Sequence, residues 1–264
     1  MNDEIIAAGR TAELYGYGEE NVIKLFKPGI SLDMLNMEYI NSSEVYRSGI
    51  ATPQPVRKIE LNGRIGIVYE KVSGETLLTL IMKKLASVQE AAAKMVYIHK
   101  DIHQKSIPKL PKQKGILAEK IGDAPSLTTF EKTSIIAYLV GLEEDTKVLH
   151  GDFHPDNIII GEKEWTIDWM TGMSGHPAGD VARTIILLQY GTLPEEVPKQ
   201  VAAYFSHIRM QMLHDYTSRY LGETSISHEE IDRWLLPVAA ARLCEWIPDA
   251  EKERLVKLIR ERLV

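Results

Sequence analysis

The sequence reads Val148-Leu149-His150-Gly151-Asp152-Phe153-His154-Pro155-Asp156-Asn157-Ile158-Ile159-Ile160 and continues as Gly161-Glu162-Lys163-Glu164-Trp165-Thr166-Ile167-Asp168-Trp169. Its short apolar runs are bounded by turn-forming residues, a pattern that predicts strands rather than helices. On both sides the apolar residues instead follow the spacing of amphipathic helices. The stretch is therefore a strand-rich island in a helical region, and it contains most of the unusual polar chemistry.

The two apolar runs around Glu162 and Lys163 predict a β-hairpin. If the turn is centred between these two residues, Asn157 lies directly opposite Asp168 and both side chains share one face. Directly opposed Cβ atoms are about 4.5 to 5.5 Å apart, close enough for an amide oxygen and a carboxylate to hold one hard cation. Taken singly, Asn157 could equally end a loop and Asp168 could cap a turn.

Asp152 lies five residues before Asn157. This is the spacing of a phosphoryl-transfer loop, in which the aspartate takes the proton of the substrate hydroxyl and the asparagine holds the metal. A transferred phosphoryl group is highly charged, so the reaction needs a neutralising metal and a carboxylate that orients the attacking oxygen. Together with Asp168, these residues supply both functions.

The segments His150–Asn157 and Ile167–Trp169 resemble the aminoglycoside phosphotransferase and choline kinase family, relatives of the protein kinases. The similarity covers essentially the whole chain. It implies an α+β, two-lobed, protein-kinase-like fold with ATP and Mg²⁺ in the cleft between the lobes. On the matched positions it implies Asp152 as the catalytic base and Asn157 and Asp168 as magnesium ligands.

The lobes implied by this resemblance fit the composition along the chain. Residues 1–72 form the expected nucleotide-binding lobe, which is β-rich and has one helix, and residues 73–264 form the larger, mostly helical lobe with the catalytic loop and acceptor pocket. In the first lobe, strands are predicted at 22–26 and 64–69, with a helix at 32–48 between them that Ser31 caps and Gly49 ends. The predicted helices of the second lobe are 75–103, 127–141, 179–190, 195–221, 227–247 and 249–263.

Lys24 alternates with apolar neighbours in a predicted strand, so its ammonium group can point into the cleft from a rigid support. A solvated lysine would give the same pattern, but the family resemblance favours a nucleotide-binding role. Glu38 is the expected partner of Lys24, because it interrupts the apolar stripe of the predicted helix and a buried carboxylate needs a cation. The alternatives to this pair are Lys27 and Glu44.

Two backbone segments are further candidates for contact with the nucleotide. Gly9 and Thr11 occupy the place of the phosphate-covering loop, and the lack of a side chain at Gly9 would let backbone amides approach phosphate oxygens. An ordinary hairpin turn would also explain them, since the loop departs from the Gly-x-Gly-x-x-Gly pattern. Glu70 and Val72 match the connection between lobes, where the family receives adenine on backbone groups.

The acceptor pocket is expected in the helical region. Candidate wall residues are aromatic and acidic, and suit a cationic or sugar-like ligand: Trp169, Glu245 and Asp249, together with Asp232, Trp234 and Trp246. Each could equally be a surface or packing residue. Asp180 is predicted to cap the next helix, and the resemblance implies that it supports the catalytic loop.

Composition limits the partners and the compartment. The 264 residues carry a net charge of −6, which argues against general binding to nucleic acid or anionic membranes, although surplus carboxylates would suit a cationic acceptor. Cys244 is the single cysteine, so no disulfide framework is possible, and the cytoplasm is the expected compartment. Residues 1–4 show no signal-peptide pattern, and the longest apolar run, 135–142, is too short to span a bilayer. The oligomeric state is left open.

The function that these observations predict is ATP- and magnesium-dependent transfer of the γ-phosphoryl group to a hydroxyl of an aminoglycoside-, choline- or sugar-like acceptor. One alternative is a non-catalytic nucleotide-binding pseudokinase, against which the retained polar residues argue. The other is a metal-dependent hydrolase with zinc or another transition metal among His150, Asp152, His154 and Asp168. That alternative gives no role to Asn157, Lys24 or Glu38.

Overall fold

The computed structural model describes residues 5–9, 11–192 and 197–263. Its strands are β1 (Ile5–Ala8), β2 (Ala12–Gly16), β3 (Asn21–Phe26), β4 (Pro55–Leu61), β5 (Arg64–Glu70), β6 (Glu75–Thr76), β7 (Lys147–Leu149), β8 (Ile158–Ile160), β9 (Glu164–Thr166) and β10 (Met173–Gly175). Its α-helices are α1 (Leu32–Arg47), α2 (Leu77–Met82), α3 (Val88–Gln104), α4 (Gln113–Asp123), α5 (Thr129–Gly141), α6 (Pro177–Tyr190), α7 (Lys199–Glu223), α8 (His228–Arg242) and α9 (Asp249–Arg262). Single 3₁₀ turns span Pro155–Asn157 and Trp169–Thr171.

The N-terminal part is an antiparallel sheet with strand order β1-β2-β3-β5-β4, and α1 packs against it. Ile23 and Ile67 on the central strands are fully buried. The predicted strands correspond to β3 and β5, and the predicted helix to α1, so these predictions are confirmed. β1 and β2 had not been predicted, and the segment that becomes β4 had been assigned only as extended chain after its prolines.

The ends of α1 follow the capping signals in the sequence. The Ser31 hydroxyl accepts a hydrogen bond from the Met34 backbone N–H at 3.2 Å, and Gly49 lies beyond the last turn with φ 84°. An αL residue at this position suits glycine, because other residues pay a steric penalty there. Both cap predictions are confirmed.

The buried face of α1 agrees with the sequence except at its first turn. The spacing predicts one face for Met34, Glu38, Asn41 and Val45; the last three are buried, whereas Met34 is exposed. The Asn41 side-chain amide donates to the backbone oxygens of Trp169 and Gly172, at 3.2 and 2.9 Å. The polar residues of this face are therefore buried because they bind groups of other elements.

The second part is mostly helical. The predicted helix 75–103 is in fact α2 and α3, separated by a turn that ends at Ser87, which caps α3 with Glu90 in a reciprocal capping box. α4 was missed, and its two glycines, Gly115 and Gly122, weaken the helical signal. The remaining predicted helices occur with shifted ends, and residues 195 and 196 of the predicted 195–221 helix lie outside the described residues.

A large apolar cluster fills the helical part and reaches the strand-rich island. It includes Ala92, Met95 and Val181 from the helices and Val148 and Phe153 from the island, all fully buried. β7 pairs with β10, and β6, β8 and β9 form a second small sheet. The polar turn after β7 is therefore fixed on both sides by packed elements.

The hairpin register differs by one residue from the predicted one. Ile160 pairs with Glu164 and Ile158 with Thr166, so the next position places Asn157 opposite Ile167, whose backbone N–H donates to the Asn157 oxygen at 3.0 Å. The loop contains three residues, 161–163, rather than a two-residue turn. A side chain at Gly161 would lie 1.9 Å from the Ser73 oxygen, so the chain leading into β6 constrains this turn.

Every α-helix among the described residues is too short or too polar to span a lipid bilayer.

Candidate active site

The loop between β7 and β8 is held by a carboxylate from α6. Asp180 accepts hydrogen bonds from the backbone N–H groups of His150, at 2.6 Å, and Gly151, at 2.8 Å. The prediction that Asp180 caps α6 is wrong. The helix begins earlier, at Pro177 with His176 as the N-cap, which places Asp180 one turn inside and facing the loop. Its expected support of the loop is confirmed.

Gly151 is required by the geometry of the same loop. Its φ is +75°, and a Cβ atom there would lie 2.4 Å from the Thr171 backbone oxygen. A side chain would push the loop away from the 3₁₀ turn that follows Asp168. The glycine thus permits the close approach that sets Asp152 beside that turn.

Asp152 projects from this loop with its side chain 31% exposed. Its Oδ1 accepts a hydrogen bond from Arg183 Nη2 at 3.1 Å, and its Oδ2 lies 3.5 Å from His154 Nε2. Burial opposes ionisation of Asp152, but His154, Arg183 and His150 together outweigh it and hold the pKa of this carboxyl well below its usual value. Asp152 is therefore ionised, with Oδ1 hydrogen-bonded to Arg183 and Oδ2 facing the His154 ring.

Asn157 and Asp168 are positioned by different local interactions. The Asn157 Nδ2 group donates to the Asp152 backbone oxygen at 2.9 Å. The Asn157 side-chain oxygen takes no part in that bond and can act as an acceptor or a metal ligand. Asp168 follows β9 with φ 66°, an αL conformation that asparagine and aspartate tolerate better than most residues. Its position depends on this bend and not on the hairpin ladder.

Lys24 connects the sheet to the second part of the molecule. Its Nζ lies 2.7 Å from Glu38 Oε1 and 3.1 Å from Asp168 Oδ1. Burial opposes its charge, but the carboxylates of Asp168 and Glu38 outweigh it and raise its pKa. Tyr69 also donates to Glu38, at 2.9 Å. The structure thus brings together three residues predicted for the nucleotide and metal site.

Lys27 and Glu44, the alternatives to the Lys24–Glu38 pair, bind other groups. Lys27 Nζ donates to the Gly9 backbone oxygen at 2.7 Å, and Glu44 pairs with Arg47 and Lys109. Neither contacts Lys24, Glu38 or Asp168 through any ion pair in the described residues.

The donor atoms of Asn157 and Asp168 fit magnesium. Both offer oxygen, which Mg²⁺ prefers, and Asp168 keeps a second carboxylate oxygen besides the one that faces Lys24. Mg²⁺ does not require a sulfur or imidazole nitrogen ligand. Such a donor set suits a hard cation.

A family model described as the phosphotransferase enzyme family matches residues 9–216. The chain belongs to this family. Because that match includes Lys24, Glu38, the Asp152 loop and Asp168, it covers every residue of the site described above. A search of curated proteins finds no match for this phosphotransferase.

Solved structures confirm its predicted two-lobed, kinase-like α+β fold. An aminoglycoside 3′-phosphotransferase of type VIII is 16% identical, with a TM-score of 0.58 over 91% of this chain and 92% of that one. The streptomycin–ATP complex of APH(2″)-IIa is 14% identical, with a TM-score of 0.56 over 98% and 90%. A candidate fructosamine-3-kinase from Haemophilus somnus 129PT is 13% identical, with a TM-score of 0.59 over 98% and 89%.

The other predicted nucleotide contacts of this phosphotransferase lie on the sheet and its exit. Gly9 and Thr11 flank the turn from β1 to β2, with the Gly9 N–H donating to the Ala12 oxygen at 2.8 Å, and Arg10 lies outside the described residues. Glu70 ends β5, and its N–H donates to the Gln54 oxygen. Val72 follows, half-buried, and its backbone N–H makes no hydrogen bond to any described residue.

A small recess opens beside the Asp152 loop between α4, α6 and α8, with an internal volume of about 30 Å³, or about 410 Å³ when the open space at its mouth is counted. Its lining includes Gly151, Thr171, Lys120, Arg183 and Glu245. Of these, sequence reasoning named only Glu245 as a pocket residue. Arg183 and Lys120 were missed, although the position of Arg183 three residues after Asp180 places both on one helix face and was a usable signal.

The other predicted acceptor residues lie outside this recess. Trp169 is almost fully buried and packs against the His150 ring, with ring centroids 4.5 Å apart. Asp249 begins α9, is 90% exposed and pairs with Lys252. Trp169 is therefore a core residue and Asp249 a surface residue, and neither lines the recess.

The metal-hydrolase alternative conflicts with how His150 is bonded. The His150 Nε2 lies 3.0 Å from the Ile167 oxygen, and its Nδ1 accepts from the Asp152 backbone N–H at 3.3 Å. Both ring nitrogens are thus engaged by backbone groups, and neither is available to a metal. Nor do any three of the four proposed ligands bring their atoms within 4.8 Å of one another in the described part of the chain.

Two buried histidines, which the sequence did not single out, support Asp180. The Nε2 atoms of His99 and His103 lie 3.0 and 3.2 Å from Asp180 Oδ2, and their Nδ1 atoms contact the hydroxyls of Tyr216 and Tyr220. Burial and the neighbouring His103 lower the pKa of His99 to about 3, although Asp180 opposes this effect. His99 is therefore neutral in the folded protein at any pH above that value.

This lowered pKa predicts a loss of stability in mild acid. The unfolded chain takes up a proton at His99 near pH 6.5 and the folded protein does not, so the stabilisation is complete above pH 6.5 and falls by about 1.4 kcal/mol per pH unit below it. We expect the unfolding free energy to decrease between pH 6.5 and 5 in denaturant titrations. His99→Gln should reduce that slope and the exposed His228→Gln should not, and equal slopes in the wild type and His99→Gln would contradict the assignment.

Proposed function

We propose that this protein is an ATP- and magnesium-dependent kinase that transfers the γ-phosphoryl group to a hydroxyl of a small molecule. The observation that carries the proposal is the placement of Lys24 Nζ within 2.7 Å of Glu38 and 3.1 Å of Asp168. A strand lysine paired with a helix glutamate, and next to a metal-binding aspartate, is the arrangement that holds a nucleotide's phosphates in kinases.

The roles of the remaining residues follow from their geometry. In this proposal Asn157 and Asp168 hold magnesium, which when bound neutralises charge on the nucleotide phosphates. Lys24 binds phosphate oxygens and Glu38 orients it. Gly9 and Thr11 cover the phosphates, while the backbone of Glu70 and Val72 receives the adenine, for which the uncommitted N–H of Val72 is suitable. We place the boundary between the lobes at residues 72 and 73.

Asp152 acts on the acceptor hydroxyl. Its Oδ1 is held by Arg183 at 3.1 Å, so Oδ2, which lies 3.5 Å from His154 Nε2, is the oxygen that accepts a hydrogen bond from the incoming hydroxyl in this proposal. The strongly lowered pKa of Asp152 makes it a better orienting group than proton acceptor early in the reaction. Alignment of the hydroxyl with the γ-phosphorus is therefore its main contribution, with proton transfer following as the new bond forms.

The recess beside Asp152 is the proposed acceptor site. Its charges do not favour a strongly cationic acceptor, because Glu245 lies 2.9 Å from Arg183, 2.8 Å from Arg242 and 3.5 Å from Lys120. Of the two carboxylates in its lining, Glu245 is thus already surrounded by cations, and Asp180 binds the N–H groups of His150 and Gly151. Sugars, which bind through neutral hydroxyl groups, fit this lining better than choline-like amines, and the expectation of a cationic acceptor is weakened accordingly.

The test is an ATP-consumption screen with Mg²⁺ over amino sugars, choline-like amines, nucleosides and simple sugars. We expect acceptor-dependent turnover with at least one sugar or amino sugar, and product phosphorylated on a hydroxyl by mass spectrometry. If the protein binds Mg·ATP but shows no turnover with any of the acceptor classes, the pseudokinase alternative is supported instead. Failure to bind Mg·ATP at all would refute both, and this binding is measured first by thermal shift.

We also propose a cytoplasmic location. The support is the single cysteine, Cys244, which is exposed in the structure and has no disulfide partner in the chain. Fractionation of cells that express the full-length protein tests this directly.

A further inference from the structure

Arg183 contacts the catalytic loop at two consecutive residues. Its Nε donates to the Gly151 backbone oxygen at 3.1 Å, and its Nη2 donates to Asp152 Oδ1 at 3.1 Å. The side chain is only 10% exposed, so these are interactions with little competition from water. No role had been assigned to this residue from the sequence.

Arg183 and Asp180 act from the same face of α6. They are three residues apart, so their side chains are neighbours on the helix surface. Asp180 binds the N–H groups of His150 and Gly151, while Arg183 binds the oxygen of Gly151 and the carboxylate of Asp152. One rigid helix therefore holds both the donors and the acceptors of the loop.

Arg183 also extends from Asp152 to the acceptor recess. Its Nη2 donates to Glu245 Oε2 at 2.9 Å, and Glu245 belongs to the connection between α8 and α9. Arg242 in turn fixes Glu245 at 2.8 Å and the buried Glu251 at 2.6 Å. Since Glu245 and Arg183 both line the recess, a bound acceptor would lie against the pair that fixes the Asp152 carboxylate.

We propose that Arg183 is a positioning residue that sets the orientation of the Asp152 carboxylate, and that Glu245 fixes Arg183 from the acceptor side. The inference rests on the proposed function and goes beyond it, because it links the wall of the recess to the group that aligns the hydroxyl. Without Arg183, the Asp152 side chain loses its charged hydrogen-bond donor on Oδ1 and can rotate about its χ angles. Turnover then falls while the nucleotide contacts made by Lys24 and Asp168 stay intact.

The experiment compares Arg183→Met, Arg183→Lys and Glu245→Gln with the wild type. The control is Arg233→Met, which removes an exposed arginine of α8 that pairs with Glu229. Thermal unfolding and Mg·ADP binding are measured for each protein, followed by kcat and KM for ATP with water as the phosphoryl acceptor. These measurements need no knowledge of the natural acceptor.

A positioning role predicts a specific pattern. Arg183→Met should lower kcat by about 100-fold, the size expected when a reacting group is misplaced by about an ångström, with KM for ATP and Mg·ADP affinity within about threefold of wild type. Arg183→Lys should recover at least about tenfold over Arg183→Met, because it restores a positive charge without the planar fork. Glu245→Gln should lower kcat by a smaller factor, and Arg233→Met should leave it unchanged.

Three results would overturn the inference. These are a kcat for Arg183→Met within threefold of wild type, no recovery by Arg183→Lys, or a fall in ADP affinity that matches the fall in kcat. If Arg183→Met does not fold, Arg183→Gln takes its place beside Arg183→Lys. A wild-type protein that binds no Mg·ADP refutes the proposed function itself, whereas binding and hydrolysis by the wild type together with unchanged Arg183 variants refutes this inference alone.

Discussion

Asp152→Asn is expected to lower kcat by about 10³-fold, within the range of 10² to 10⁴ typical of a general acid–base group. The amide cannot accept the proton of the attacking hydroxyl, and it offers no negative charge to Arg183, which lies 3.1 Å away. The binding of Mg·ATP should change little, because Lys24, Asn157 and Asp168 remain in place. The expected signature is therefore a loss in kcat with little change in KM for ATP.

The control for this variant is Asp156→Asn. Asp156 is an exposed aspartate in the same loop and lies in the middle of the 3₁₀ turn Pro155–Asn157. Steady-state kinetics of both variants with an acceptor from the screen give the comparison. Turnover near the wild-type level for Asp152→Asn would show that Asp152 is not the group that acts on the hydroxyl.

Asp168→Ala is expected to raise the Mg²⁺ concentration required for half-maximal nucleotide binding by more than about tenfold, as when a direct carboxylate ligand is removed from a metal site. The same change takes one carboxylate from Lys24 and leaves Glu38 as its partner at 2.7 Å. At any fixed Mg²⁺ concentration below saturation, nucleotide binding by Asp168→Ala should therefore be weaker than that of the wild type.

Titration of ATP at several Mg²⁺ concentrations measures this effect. Asp249→Ala is the matched control, since Asp249 is 90% exposed at the start of α9. An unchanged Mg²⁺ dependence in Asp168→Ala would exclude Asp168 as a metal ligand. Parallel loss in both variants would indicate a general effect of charge.

The parts of the site that sequence analysis found are those encoded over short distances or in strong patterns. Asp152 and Asn157 belong to one continuous loop, and Lys24 lies in a strand with clear alternation, so their arrangement is predictable from local chemistry. The two-part fold is predictable for the same reason, because the change from strand-like to helical periodicity is abrupt. Ser31 and Gly49 likewise mark the ends of α1 through local capping interactions.

The errors come from contacts between distant segments. The hairpin has an odd-numbered loop because Gly161 lies against the chain near Ser73, and nothing within the hairpin reveals that neighbour. The backbone oxygens that the buried Asn41 of α1 binds lie more than 120 residues away, so these contacts have no signal in the sequence of the helix. Arg183 and Glu245 meet across 62 positions of the sequence, so their contact has no local signal either.

Cys244 has a practical consequence for studying this protein. It is the single thiol of the chain, it is exposed, and its neighbour Glu245 lines the recess beside the Asp152 loop. Burial and nearby carboxylates raise its pKa, so coupling to maleimides is best done on the alkaline side of neutrality. An environment-sensitive fluorophore attached there, without any mutation, would report directly on molecules entering the recess, including compounds that bind but are never phosphorylated.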